Sequence, residues 1–201
     1  MAKVPGTAGY GNEAESLQVR YEIYTLENVH SQVEHLFPAS PAHVLDIGAG
    51  TGRDAAGFAA LGHRVVAVEP VDALRIGAER RHPHENITWI DDGLPELKLL
   101  AGYAGQFDLV MLTAVLMHLD APLRQKSLAA IAPLLKPGGR LIMMLRHGPV
   151  PPGRTMFEVN APEIREIAAP LGLTCIFELD HPSADPNKVG VSWTRLALEK
   201  R

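Results

Sequence analysis

The chain has almost no cysteine, no run of basic residues and no long hydrophobic stretch, and each absence removes a class of function. One cysteine, Cys175, in 201 residues rules out an internal disulfide framework. It sits in an apolar, strand-like run, where a free thiol reads as buried small hydrophobic filler. The longest apolar run, Leu109 to Met117, is too short to cross a bilayer and contains Thr113. No charged-then-apolar pattern marks a signal peptide at the N-terminus, so a cytoplasmic location and no membrane partner are expected. Lysine and arginine are scattered and the net charge is -4, so no nucleic-acid partner is expected. His82-Pro83-His84-Glu85 looks superficially like a metal site, but no Cys or further His/Asp cluster completes it. It reads as a surface turn, with no metal.

What is present is a chain of ordinary hydrophobicity, 46% apolar and 21% charged, long enough for one sizeable core. Its organising stretch is Val44-Leu45-Asp46-Ile47 followed by Gly48-Ala49-Gly50-Thr51-Gly52 and then a helix-forming segment. Strand, glycine turn and helix in that order form a nucleotide-cofactor cradle. Glycine is required because the turn is tight and the backbone must approach the ligand. A second strand, Arg64 to Val68, ends at Glu69, where a carboxylate can accept from two ribose hydroxyls.

Residues 1–12 read as a flexible tail and 13–201 as one domain, with 13–37 an N-terminal helical cap and 44–201 the core. Leu26, Val29, Val33, Leu36 and Phe37 recur at helical spacing in the cap. Later helices are expected over Arg53 to Leu61, Val71 to Arg81, around Leu94 to Leu100, from Asp120 to about Leu135 with a kink or tightened last turn at Pro133, and from Asn160 to Leu171. Strands are expected at Ile87 to Ile90, Phe107 to Thr113, Arg140 to Leu145, Cys175 to Leu179 and Val191 to Leu198. The link over 180–190 is too short for a helical crossover, so the last two strands pair antiparallel. The expected fold is α/β, a doubly wound, mostly parallel seven-stranded sheet with a C-terminal antiparallel pair and helices on both faces. Ligand chemistry then belongs at the carboxyl ends of the strands.

The run Val44 to Gly52, with Glu69 after the second strand, Asp92-Gly93 after the third, Phe107-Asp108-Leu109-Val110 in the fourth and Leu134 to Gly139 before the fifth, resembles the Rossmann-like (class I) S-adenosylmethionine-dependent methyltransferases. The resemblance covers residues 44 to 146 and implies a methyl transfer to an N or O nucleophile of a small molecule, with S-adenosylhomocysteine as product. It implies that Gly48 and Gly50 line the methionine moiety, that Asp46 helps hold its amino group, that Glu69 takes the ribose and that Asp92 accepts from adenine. Asp91 is the alternative to Asp92, and Ala49, Gly52, Pro70, Gly93 and Thr113 complete the implied cofactor set. A nicotinamide dehydrogenase fits less well, because its third glycine follows the second by three positions whereas Gly52 follows Gly50 by two.

On the acceptor side, His118 and His147 fall after the fourth and fifth strands and are the candidate general bases. Each has a plainer reading, His118 as a turn cap or cleft wall and His147 as the start of a Pro/Gly loop. Arg146 is either an anchor for an anionic substrate or an ion-pair partner at the sheet edge. Tyr21, Tyr24 and His30 lie on the helices expected to close over the substrate, where the tyrosines can equally pack on the sheet. Trp89 and Trp193 read as core or sheet-face residues, and Arg53 either reaches the cofactor carboxylate or lies on the first helical turn. The other function that fits is a non-catalytic S-adenosylmethionine-binding sensor or scaffold, and either a monomer or a homodimer is compatible.

Overall fold

The computed structural model describes residues 4–185 and 188–201. Residues 1–3 of the expected tail and 186–187 of the 180–190 link lie outside the described residues. The strands are β1 His43–Ile47, β2 Arg64–Val68, β3 Ile87–Ile90, β4 Phe107–Thr113, β5 Leu135–His147, β6 Leu173–Pro182 and β7 Ser192–Lys200. The helices are α1 Ala14–Tyr21, α2 Leu26–His30, α3 Arg53–Ala60, α4 Asp72–Arg81, α5 Ala121–Ile131 and α6 Ala161–Ala168. One sheet runs in the order β3-β2-β1-β4-β5-β7-β6. Strands β1 to β5 pair in parallel, and β7 pairs antiparallel with both β5 and β6.

Side chains alternate along each strand, so the sheet carries two apolar faces. On one, Val44, Val65, Ala67, Leu109, Met111, Ile142 and Ala197 pack with Phe58 of α3. On the other, Leu45, Val66, Val110, Leu112, Leu141, Met143 and Leu198 pack with Leu128 and Ile131 of α5 and Ile164 of α6. Burial on both faces is why β4 reads as an almost unbroken apolar run. The order reverses between β1 and β4, because β2 lies on one side of β1 and β4 on the other. Such a reversal opens a crevice above the carboxyl ends of the strands.

Several boundaries differ from the sequence expectation, each for a local reason. The N-terminal cap is broken after Tyr21, because Thr25 starts α2 afresh, its side chain accepting from the Asn28 amide. A 3-10 turn, Glu34–Leu36, follows α2. No α-helix forms over Leu94 to Leu100. Leu97 takes a left-handed conformation at φ 49, and a 3-10 turn runs from Lys98 to Tyr103. Pro137-Gly138-Gly139 lies inside β5, where pairing jumps from Phe107 with Leu135 to Leu109 with Arg140 and the intervening residues loop out. The expected tightening at Pro133 is the 3-10 turn Ala132–Leu134 that ends α5. Cys175 is only half-buried, because β6 is the edge strand of the sheet. No helix among the described residues is long and apolar enough to cross a membrane.

Leu109, fully buried in the centre of β4, tests the packing. Leu109→Ala should lower the unfolding free energy by about 2 to 5 kcal/mol, read from urea denaturation, with far-UV circular dichroism unchanged at low urea. A loss below about 1 kcal/mol would contradict the packing of this face of β4 against α3.

Candidate active site

The glycine turn is held from below and from the side. Gly48 and Ala49 both donate to the Val68 carbonyl, at 2.8 and 3.0 Å, so the turn is pinned to the end of β2. Gly48 has φ 72, and a Cβ there would lie 2.8 Å from Val115 Cγ2, so neither the backbone nor the space admits a side chain. The Gly50 amide donates to Glu69 Oε2 at 2.8 Å and the Val71 amide to Glu69 Oε1 at 2.8 Å. Glu69 therefore ties the turn to the start of α4. Burial pushes its carboxyl above the usual range, and the two amides oppose that push.

Beside the turn lies a group of buried charges that the sequence does not bring together. Asp54, in the first turn of α3, accepts from His30 Nε2 at 2.9 Å and Thr113 Oγ1 at 2.8 Å on Oδ2, and from Arg53 Nε at 2.7 Å on Oδ1. Burial alone would raise the Asp54 pKa, but His30 and Arg53 outweigh it and hold the carboxyl well below the ordinary carboxylate range. Asp46 is the opposite case. Its Oδ2 is buried without a hydrogen-bond partner, and burial, reinforced by the Asp54 charge, pushes its pKa well up. An unsatisfied buried carboxylate oxygen is costly, so Asp46 is a donor-seeking group in the wall of the crevice.

The crevice is a cavity of about 460 Å³. Of the residues singled out from sequence, Asp46, Gly48, Ala49, Gly50, Glu69, Pro70, Gly93 and Thr113 line it, and so do His118, Tyr21 and Tyr24. Gly52 does not; its Cα side faces Trp89, where a Cβ would lie 2.8 Å from the ring. Asp92 spends its carboxylate on the amides of Gly93 and Leu99, and Asp91 pairs with Arg75 at 3.2 Å, so neither acid lines the cavity. Arg146 and His147 also stand outside it. Arg146 donates to the Pro149 carbonyl at 2.8 Å. His147 lies an odd number of residues beyond the cavity-lining Met144, so strand alternation turns it to the other face. There its Nε2 is 2.7 Å from Thr194 Oγ1, which donates to Asp180 Oδ1 at 2.5 Å.

His118 is the histidine that stays in the wall. Its Nδ1 is 3.0 Å from the Thr155 carbonyl and its Nε2 is 2.9 Å from the Tyr10 hydroxyl. A carbonyl beside Nδ1 places the proton there and leaves Nε2 as an acceptor. Burial lowers the His118 pKa, which favours the neutral ring. Tyr10 was not legible as a site residue, yet it lines the cavity, and burial pushes its hydroxyl up to about 12. The Arg154 guanidinium stacks 4.0 Å from its ring centroid and pairs with Glu13 at 3.0 Å, and Val4, Pro5, Gly6 and Thr7 of the same segment line the cavity too. Trp193 and Arg195 of β7 also line it, and Trp193, a sheet-face residue as expected, packs against the core as well. No short motif marks either, because β7 joins the site only through antiparallel pairing with β5.

Residues 44–139 match the family described as methyltransferase domain. Ubiquinone biosynthesis O-methyltransferase of Xanthomonas axonopodis pv. citri is 35% identical over 119 residues, 59% of this chain and 47% of that protein. The enzyme of the same name from Methylocella silvestris is 35% identical over 103 residues, 51% of this chain and 39% of that protein. The chain thus spans less than half the length of these curated relatives. Among solved structures, Burkholderia thailandensis 1,6-didemethyltoxoflavin-N1-methyltransferase, with bound 1,6-didemethyltoxoflavin and S-adenosylhomocysteine, aligns with TM-score 0.74 and 25% identity over 94% of this chain and 84% of that one. A TehB-like S-adenosylmethionine-dependent methyltransferase from Corynebacterium glutamicum has the same fold at TM-score 0.68 and 21% identity, over 94% of this chain and 99% of that one. With the glycine turn, the β2 acid and the strand order in place, residues 44–139 match the methyltransferase-domain family and the chain has the fold of the S-adenosylmethionine-dependent methyltransferases named above.

Proposed function

We propose that the protein transfers the methyl group of S-adenosylmethionine to an N or O nucleophile of a small molecule. The observation that carries this reading is the unpartnered Asp46 Oδ2 beside the glycine turn, in a cavity that also contains Glu69. An ammonium group supplies the donors that Asp46 lacks, and each Glu69 oxygen keeps a second lone pair for a ribose hydroxyl after accepting one amide. A dinucleotide fits poorly, because its pyrophosphate would meet Asp46 and Glu69, two carboxylates already pushed up by burial. When bound, S-adenosylmethionine supplies an electrophilic methyl group on a sulfonium. The residues of the chain then have to orient the acceptor, exclude water and take its proton.

For the proton, His118 is the group in the right state. It is neutral, its free lone pair is on Nε2, and Nε2 faces Tyr10 in the cavity wall. In this reading the acceptor hydroxyl or amine replaces the Tyr10 hydroxyl on Nε2 and loses its proton there. His147 is not used, because its Nε2 is engaged by Thr194 on the far face of the sheet. Tyr21 and Tyr24 contribute walls of the cavity, and Tyr10 a further wall from the N-terminal segment. The Burkholderia thailandensis enzyme named above holds a small molecule, 1,6-didemethyltoxoflavin, and the curated relatives are named for ubiquinone biosynthesis, which supports an acceptor of that size here.

Two outcomes follow. Binding of S-adenosylmethionine should release a proton from Asp46 over the pH range in which burial keeps that carboxyl protonated in the free protein, because a bound ammonium lowers its pKa. Calorimetric titrations in buffers of different ionisation enthalpy read that release; the same release in Asp46→Asn would remove Asp46 from the role. His118→Ala should cost roughly 10² to 10⁴ in kcat with little change in cofactor affinity. In the wild type, kcat/KM should fall as pH drops through a value below the ordinary histidine value of about 6.5, since burial lowers this pKa and only the neutral ring accepts. An acid limb that persists in His118→Ala would assign the base elsewhere.

A further inference from the structure

Arg195 is 4% exposed and lines the cavity. Its Nε lies 3.2 Å from Gln32 Oε1 and 3.2 Å from His181 Nε2, and its Nη2 donates to the Val29 carbonyl at 2.6 Å. His181 Nδ1 sits 3.0 Å from the Pro182 carbonyl, and its Nε2 is the atom that accepts from Arg195. None of these partners is a carboxylate. Nη1 is buried with no partner at all. The acid whose charge acts on Arg195 is Asp54, and its carboxylate oxygens are already taken by His30, Arg53 and Thr113. Burial lowers the Arg195 pKa to about 10, the direction expected of a guanidinium removed from water without a counter-ion. A charge so placed costs stability unless something pairs with it.

Its location separates it from the acids of the glycine turn. Register sets Thr113, Met144 and Arg195 in one row across β4, β5 and β7. Glu69 follows β2, and β1, β4 and β5 lie between β2 and β7. Trp193, two residues from Arg195 on the same face of β7, brings aromatic surface to this end. A planar guanidinium with an unused N–H matches a carboxylate oxygen, and the Trp193 ring matches an aromatic plane.

We propose that Arg195 is the acceptor anchor, and that the β7 end of the cavity takes a planar aromatic acceptor bearing a carboxylate, held by Nη1 beside Trp193. The inference rests on the methyltransferase reading and adds the chemical class of its acceptor. Arg195 positions the acceptor and takes no part in proton transfer. The competing role is structural, a cation retained to balance the Asp54 region.

The test is calorimetric titration of the full chain, saturated with S-adenosylhomocysteine, with benzoate and in parallel with benzamide, at fixed ionic strength. Benzoate should bind the wild type roughly tenfold or more tighter than benzamide, the contribution of one charged hydrogen bond. Arg195→Gln should abolish that preference while keeping S-adenosylhomocysteine affinity within about twofold, and Arg195→Lys should keep part of it. The wild-type comparison does not depend on any variant folding. Equal binding of the two probes to the wild type, including binding of neither, would overturn the proposal and leave the methyltransferase reading standing, as would a preference that survives in Arg195→Gln. Failure of S-adenosylhomocysteine to bind the wild type would overturn both.

Discussion

A single buried carboxylate, that of Asp54, holds the site together. It sits in the first turn of α3, where the positive end of the helix favours an acid, and it accepts from α2 through His30 and from the end of β4 through Thr113. Arg53 completes its shell and supplies compensating charge. Three elements far apart in sequence are thereby fixed around one point beside the glycine turn. With Asp54 satisfied in this way, Asp46 on the neighbouring strand is left with a free oxygen in a negative environment. The same interaction that orders the wall thus leaves one buried oxygen of it without a donor.

Charge is divided along the cavity accordingly. Toward β2 stand Asp46 and Glu69, both raised by burial, and toward β7 stands Arg195, lowered by it. Between them the floor is Thr113 and Met144, and His118 and Tyr10 close the side. The proposed ligand pair, with an ammonium and ribose at one end and an anion at the other, would offer a partner to Asp46, Glu69 and Arg195 together. The reading of Asp46 and the reading of Arg195 thus draw on the same physical rule, that buried polar atoms without partners are unfavourable until something pairs with them.

Much of the scaffold was legible because it is set by local pattern. The apolar run of β4, the Asp120 and Asn160 caps, the tightened turn after α5 and the antiparallel β6–β7 pair all follow from periodicity, capping and link length. Asp46, Gly48, Gly50 and Glu69 could be singled out together because they lie in two contiguous stretches, and they line one cavity. The acceptor end could not be singled out in this way. His147 and Arg146 follow the right strand, but one is turned to the opposite face by alternation and the other is taken up by the loop it opens. Asp91 and Asp92 were expected at the adenine, whereas ion pairing with Arg75 and capping of the following loop occupy them. Tyr10 and Arg195 enter from a segment read as a tail and from the second-last strand of the sheet order, with no spacing in the chain to announce either. Sites assembled by tertiary contact leave no short motif.

The central claim is that the cavity is built for a cationic, ribose-bearing methyl donor. Side-by-side titration of the protein with S-adenosylmethionine, S-adenosylhomocysteine and NAD, followed by calorimetry and by the melting temperature, tests it most directly. A ligand present at about a hundred times its dissociation constant adds about 2.7 kcal/mol to stability, a shift that is easily read. The two methionine-derived ligands should bind and NAD should not. Binding of NAD alone, or of none of the three, would contradict it.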